Sequence, residues 1–241
     1  MHTAIVDCLV SYEDPNELTV LGPKRNDFSI PFSLAGVPQS ERFIGRESEL
    51  AQIRNALSGD GSRRTVVLHG LGGMGKTQTA VAYAKRHRSD YSAVFWFNIQ
   101  DHATIVQSFV AAAGLIRQYH PAASALKGID SGSDADQVVN AVKRWFSETE
   151  NTRWLAIFDN YDNPKLRDNP DPAAVDIRKY LPSAEHGFVI ITTRSAQVRM
   201  GECMPMRKLA DVRESVAILS SMSRRDLSLE GLYSLACESC R

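Results

Sequence analysis

The sequence has no excess of either charge, since it contains 28 Lys and Arg residues and 28 Asp and Glu residues. Proteins that bind nucleic acid or anionic membranes are usually basic, so this balance favours neither partner. Long apolar runs are missing as well. The longest, at 109–116, falls far short of the ~20 residues that a membrane-spanning helix needs. We therefore expect a protein without nucleic-acid or membrane partners.

Cysteine is scarce, with 4 residues in a chain of 241, and only Cys237 and Cys240 form a CxxC pair. A four-cysteine zinc site would need a second pair, so we expect the fold to need neither a metal nor a disulfide. The N-terminus also lacks the basic and apolar segments of a secretory signal. The sequence thus favours a cytoplasmic location.

Regular patterns begin near residue 43, after a first segment of 40 residues whose prolines predict a weakly ordered linker. Helical spacing of apolar residues predicts helices at 47–57, 76–87, 101–112, 138–146 and 212–222. Continuous apolar runs predict strands at 65–68, 93–97, 154–158 and 188–192, and a last strand is expected at 206–209. This order indicates an α/β fold with a mostly parallel sheet that is covered by helices on both faces.

A glycine-rich motif at 70–77 matches GxxxxGK[ST] in full and lies between a predicted strand and a predicted helix. In such a P-loop, backbone N–H groups surround phosphate oxygens, and the following helix adds its positive N-terminal end. Lys76 supplies a charge to the β- and γ-phosphates, and the Thr77 hydroxyl is suited to bind Mg²⁺. A simple glycine turn does not explain Lys and Thr at this offset. His69, just before the motif, is interpreted as a strand end.

An acidic residue follows the third apolar strand. Asp159 is therefore our candidate for the metal side of the phosphate site. Many hydrolases carry a second acid at the next position, where this sequence has Asn160, so fast hydrolysis is not expected. Asp162 is a substitute for that acid, although Asp162 and the two residues after it also have the composition of a turn.

A second polar group follows the fourth strand. Thr192, Thr193 and Arg194 should emerge at the same carboxyl edge of the sheet as the P-loop. An arginine at this edge has the charge to contact a γ-phosphate and to sense which nucleotide is bound. Our candidate catalytic residues are Lys76, Asp159 and Arg194, and our candidate metal ligands are Thr77 and Asp159.

Four ordered motifs together resemble the NB-ARC, or STAND-class, P-loop ATPases of NOD-like receptor type, most closely the fungal ones. Residues 43–47 resemble the VGRE segment of that class, and 69–78 its P-loop. Residues 157–160 resemble its Walker B segment, and 190–195 its sensor segment with Thr-Thr-Arg. The resemblance covers about residues 41–220.

The resemblance implies a nucleotide-contacting set beyond the motif residues already discussed. By this resemblance the ligand contacts are Ile44, Gly45, Arg46, Gly70, Gly72, Gly73, Met74, Gly75, Lys76, Thr77, Gln78 and Arg194. It also implies ADP as the resting ligand, ATP with Mg²⁺ as the activating one, and oligomerisation on exchange. The preference for adenine rests on the resemblance alone. The resemblance also implies that the sensor strand lies between the P-loop strand and the Walker B strand.

The family's GLPLA-type segment, winged-helix module and C-terminal repeats are not found in this sequence. We therefore expect a nucleotide-binding domain at 41–205, followed by a truncated helical extension at 206–241. Three functions stay open: an ADP/ATP switch module with slow or no hydrolysis, an active ATPase or phosphoryl transferase, and a non-functional or decoy fragment. The expected partners are an adenine nucleotide and either a second copy of the chain or a full-length relative.

Overall fold

The computed structural model describes residues 28–40, 43–59, 61–130, 132–208, 214, 216–217 and 220. Its helices are α1 Glu47–Leu57, α2 Lys76–Arg86, α3 His102–Tyr119 and α4 Ala135–Phe146. Its strands are β1 Arg64–His69, β2 Ala93–Asn98, β3 Trp154–Asp159, β4 Phe188–Thr193 and β5 Glu202–Pro205. The helices and strands predicted between 47 and 193 are all present.

The five strands form one parallel sheet in the order β2-β3-β4-β1-β5. This confirms the α/β fold. It also confirms that β4, the sensor strand, lies between β1, which leads into the P-loop, and β3, which ends on Asp159. Since all strands point the same way, the polar residues that follow β1, β3 and β4 meet at one edge of the sheet.

Two apolar cores lie on opposite faces of the sheet, because successive strand residues point to opposite sides. Alternate β1 residues show this, since Val67 belongs to one core whereas Val66 and Leu68 belong to the other. Helices α3 and α4 cover the first face, and α1 and α2 cover the second. Asp101 caps α3 through a capping box with Thr104.

The last strand differs from the prediction. It is β5, at Glu202–Pro205, rather than 206–209, because β5 pairs with the edge of β1 and that pairing ends where β1 ends, at His69. Met206 only continues the contact, through a bond from its N–H to the His69 carbonyl. Residue 209 lies outside the described part of the chain, as does the C-terminal CxxC pair.

The segment predicted to be weakly ordered is packed in its described part. Ile30 and Leu34 are buried, and the Ile30 N–H donates to the Ser92 carbonyl just before β2. Packed structure therefore begins before the predicted boundary at residue 41, while residues 1–27 lie outside the described range. Among the residues that the structure describes, none of the helices has the length and apolar character of a membrane span.

Candidate nucleotide-binding site

The loop between β1 and α2 has the backbone conformation of a phosphate cradle. Its glycines Gly70, Gly73 and Gly75 have φ angles of 147°, 77° and 82°, which L side chains rarely adopt. A Cβ on Gly70 would lie only 2.5 Å from the Met206 carbonyl oxygen. Glycine is thus required there both by conformation and by the close approach of the chain after β5.

Lys76 is the first residue of α2 and folds back over the loop. Its Nζ donates to the carbonyl oxygens of Gly70, at 2.7 Å, and Leu71, at 2.9 Å. Burial lowers the pKa of Lys76, whereas the nearby carboxylates of Asp162 and Asp159 act in the opposite direction. The ammonium group therefore lies within the loop that would hold phosphates, in a poorly hydrated position where an anionic partner is favourable.

Asp159 ends β3 and faces the start of α2. Its Oδ1 accepts hydrogen bonds from the hydroxyls of Thr77, at 2.9 Å, and Thr192, at 2.5 Å. Burial raises the pKa of Asp159, and the hydrogen bonds from Thr192 and Thr77 offset this in part. A buried carboxylate beside a threonine hydroxyl is the hard oxygen donor set that Mg²⁺ prefers, so these residues fit a magnesium ion.

Asn160 occupies the position where many hydrolases have a second acid, and its side chain bonds to another residue of the protein. Its backbone adopts φ 66°, its N–H donates to Thr192 Oγ1, and its side-chain amide donates to Asn98 Oδ1 at the end of β2. The Asn98 contact was not predicted, since no motif marks it. The turn at Asn160 redirects the chain towards β4.

Arg194 follows β4 and pairs with Asp162, with 2.7 Å between Nε and Oδ2. Its guanidinium lies near Gly72, where a Cβ would be 3.6 Å from Arg194 Cζ. The structure thus brings Lys76, Thr77, Asp159 and Arg194 together at one sheet edge.

Arg46, which the resemblance assigned to the ligand, is held by the protein backbone. Its buried guanidinium donates to the carbonyls of Met74 in the P-loop and Arg207 after β5, and it pairs with Glu49. These contacts make it a brace beneath the loop. This role could not be predicted from the sequence, because the Arg207 carbonyl is 161 residues away.

The remaining residues implied by the resemblance surround the loop. The Gln78 amide binds the backbone of the preceding segment, donating to Pro38 O and accepting from Ser40 N at 2.9 Å. Gly45, next to Ile44, has φ 75°, and a Cβ there would meet the Glu214 carboxylate. Glu214 therefore lies against the segment expected to contact the base, and sequence analysis did not predict this.

A P-loop between strand and helix, facing a strand-end aspartate in a parallel sheet, defines a P-loop NTPase. Comparison with known families agrees, since a model of the AAA ATPase domain family matches residues 42–191. The chain belongs to this AAA ATPase domain family, whose members generally bind nucleotide with Mg²⁺.

A nucleotide-binding leucine-rich repeat (NLR)-like protein of Hyaloscypha variabilis is 31% identical to this chain over 180 residues. The match includes 70% of the chain but only 17% of that relative, so the chain spans about a sixth of the relative's length. This relative and the family match together confirm the interpretation of the motifs as those of a STAND/NLR-type P-loop NTPase.

Solved structures resemble this chain as well, at low sequence identity. A STAND protein with a tetratricopeptide repeat sensor from Pyrococcus horikoshii is 22% identical, with a TM-score of 0.47, over 89% of this chain and 29% of that chain. The Orc1 protein of Aeropyrum pernix, solved in complex with DNA, is 17% identical, with a TM-score of 0.49, over 83% and 53% of the two chains.

Proposed function

We propose that this protein is an adenine-nucleotide-binding switch module that binds ADP or ATP with Mg²⁺ and hydrolyses ATP slowly or not at all. The observation that carries the proposal is the convergence of Lys76 and the Thr77–Asp159 pair on one glycine loop. The relative's printed description as nucleotide-binding supports the same class of ligand.

Binding follows from the charges of the loop. Phosphate oxygens would exchange with the carbonyls that now accept from Lys76 Nζ, and the loop N–H groups and the N-terminus of α2 would stabilise their charge. Thr77 and Asp159 would hold Mg²⁺, which would supply positive charge to neutralise the phosphates. Ile44 and Gly45 are proposed to face the base, and Arg194 the terminal phosphate.

Slow turnover follows from the residue after Asp159. A second carboxylate at that position would orient an attacking water, but Asn160 carries an amide that bonds to Asn98 instead. An active ATPase is the alternative function, favoured by Asp162, which brings another carboxylate to the same edge. Steady-state phosphate release separates the two, since turnover above about 1 per second would support the enzyme.

The first test is thermal unfolding of the chain with Mg²⁺ and ADP, ATP, GTP or no ligand. A ligand at 100 times Kd that binds only the native state stabilises it by about 2.7 kcal/mol, or roughly 5–11 °C for a domain of this size. We expect ADP and ATP, but not GTP, to raise the transition temperature. The lack of any shift with adenine nucleotides would overturn the proposal.

A matched pair of lysine variants makes this test specific. Lys76→Ala removes the ammonium group from the loop and should abolish most of the ATP-dependent shift. Lys85→Ala changes an exposed lysine on the same helix and should leave it unchanged. Equal shifts in both variants would show that nucleotide binds elsewhere.

A further inference from the structure

The Asp162 carboxylate holds Arg194 at two points. Oδ2 lies 2.7 Å from Arg194 Nε, and Oδ1 accepts a hydrogen bond of 2.8 Å from the Arg194 backbone N–H. The side chain and the main chain of the arginine are therefore fixed by one carboxylate. Such two-point pairing is more restrictive than a single surface ion pair.

The geometry of two neighbouring strands brings Asp162 to this position. The Tyr161 N–H donates to the Thr192 carbonyl, and Thr193 Oγ1 donates to the Tyr161 carbonyl, so the chain after β3 is bound along the end of β4. The left-handed turn at Asn160 begins this path. Asp162 is thus directed towards the residue that follows β4, which is Arg194.

The pair lies at the P-loop rather than at a remote surface. The Arg194 guanidinium approaches Gly72 of the P-loop, where a Cβ would lie 3.6 Å from Arg194 Cζ. The Arg194 side chain is 66% exposed and that of Asp162 30%, so most of the arginine side chain is accessible to solvent.

This arrangement creates a competition between two anions. A terminal phosphate that pairs with Arg194 must displace the Asp162 carboxylate or lie beside it, where like charges repel. A nucleotide with one phosphate fewer would avoid both costs, because its phosphates would end short of the arginine. We infer that Asp162 is a specificity-determining residue, which holds Arg194 and shifts the preference of the site from nucleoside triphosphate towards nucleoside diphosphate. This inference rests on the proposed nucleotide binding.

The test is equilibrium titration of ADP and ATP, each with Mg²⁺, against the whole chain and its Asp162→Asn variant. Asparagine keeps the acceptor for the Arg194 N–H but removes the charge. We expect the ratio of ATP affinity to ADP affinity to rise by about three- to tenfold. Asp162→Ser, which retains a small acceptor, should change the ratio in the same direction and serves if the first variant fails to fold.

Two further variants show whether the effect acts through the arginine. In an Arg194→Gln background the carboxylate has no cation to hold, so Asp162→Asn should change the affinity ratio much less. Asp168→Asn removes an exposed carboxylate from the same β3–β4 loop and should leave the ratio unchanged.

The outcomes separate this inference from the proposed function. An unchanged ratio in Asp162→Asn, while both nucleotides still bind, would overturn the inference and leave the proposed function standing. A fall in ATP affinity in that variant would also overturn it, since Asp162 would then act on the ligand's side. If the unaltered chain binds neither nucleotide, both ideas fail.

Discussion

At the scale of single residues, Asp159 combines a structural cost with a proposed role in binding. Its raised pKa means that burial disfavours the charged form in the folded protein, although the threonine hydroxyls reduce that penalty. In the unfolded chain the carboxyl has its ordinary pKa, so the folded protein holds the proton more tightly. Stability therefore falls as pH rises through the interval between the two pKa values, and the penalty persists at neutral pH.

Asp159→Asn removes this charge while keeping an oxygen that can accept from both threonines. We expect the free energy of unfolding of the nucleotide-free protein to rise at pH 7, and the gain to vanish at pH values below the ordinary range of the carboxyl. The Mg²⁺-dependent part of nucleotide affinity should fall about tenfold or more. Urea unfolding at several pH values and titrations with and without Mg²⁺ measure both effects. A variant with full Mg²⁺ dependence would contradict the metal assignment.

Arg46 is a second residue whose contacts lead to a testable prediction. The planar guanidinium bridges Met74 O and Arg207 O, and a lysine ammonium cannot reproduce this geometry. Arg46→Lys should lower the free energy of unfolding by about 2–4 kcal/mol and weaken nucleotide binding, since the loop loses its brace. Denaturant unfolding is the measurement.

Arg54→Lys provides the control for that variant. Arg54 lies on the same helix α1, but it is exposed and pairs with Asp90 through a contact that lysine can also make. This variant should change stability by less than about 0.5 kcal/mol. A similar loss in both variants would mean that arginine matters to the helix in general and not to the brace.

At the scale of elements, the conformation of the P-loop depends on the chain just after β5, which lies against Gly70. Gly70→Ala would force a Cβ against Met206 O, just after β5, at a φ angle that alanine avoids. We expect a loss of about 2–4 kcal/mol in unfolding free energy, together with a loss of nucleotide affinity, because the loop and the edge of β1 must both shift.

Gly73→Ala is the matched comparison. Its φ angle is also positive, but no described atom lies within 4 Å of a Cβ at this position. Only the backbone strain remains, and the expected loss is about 1–2 kcal/mol. Thermal unfolding of the two variants tests the difference, and equal losses would remove the role assigned to the contact with Met206.

At the scale of the whole molecule, the segment before α1 joins the two faces of the sheet. Ile30 belongs to the core beneath α3 and α4, Phe32 packs on the opposite core, and Gln78 holds the backbone at Pro38 and Ser40. These contacts make the segment part of the packed domain.

Ile30→Ala measures how much the segment contributes. Removing a buried isoleucine side chain should lower the free energy of unfolding by about 2–4 kcal/mol. Nucleotide affinity should not change, because Ile30 lies in the core and not at the ligand-binding edge. Ser33→Ala, at an exposed position of the same segment, should have little effect. Denaturant unfolding of both variants is decisive, and a loss below about 0.5 kcal/mol for Ile30→Ala would mean that the segment adds little to the fold.

The sequence by itself determined the local features. The strand and helix order follows from the period of apolar residues, and the P-loop is contiguous, so its chemistry can be identified from residues 70–77 alone. Asp159 and Arg194 were predicted to lie at the same edge because a parallel sheet brings the residues after its strands to one edge. These inferences need only neighbours along the chain and a general rule of topology.

Only the tertiary structure decided which distant groups meet. The Arg46 contact with Arg207, the pairing of Asp162 with Arg194 and the position of β5 depend on the path of the chain between strands. The segment at 28–40 contains two prolines and a glycine, which locally favour turns, and the burial of its apolar residues comes from a surface that other elements create. Local preferences cannot encode such contacts, because their free energy arises from partners that are brought together only when the sheet has formed.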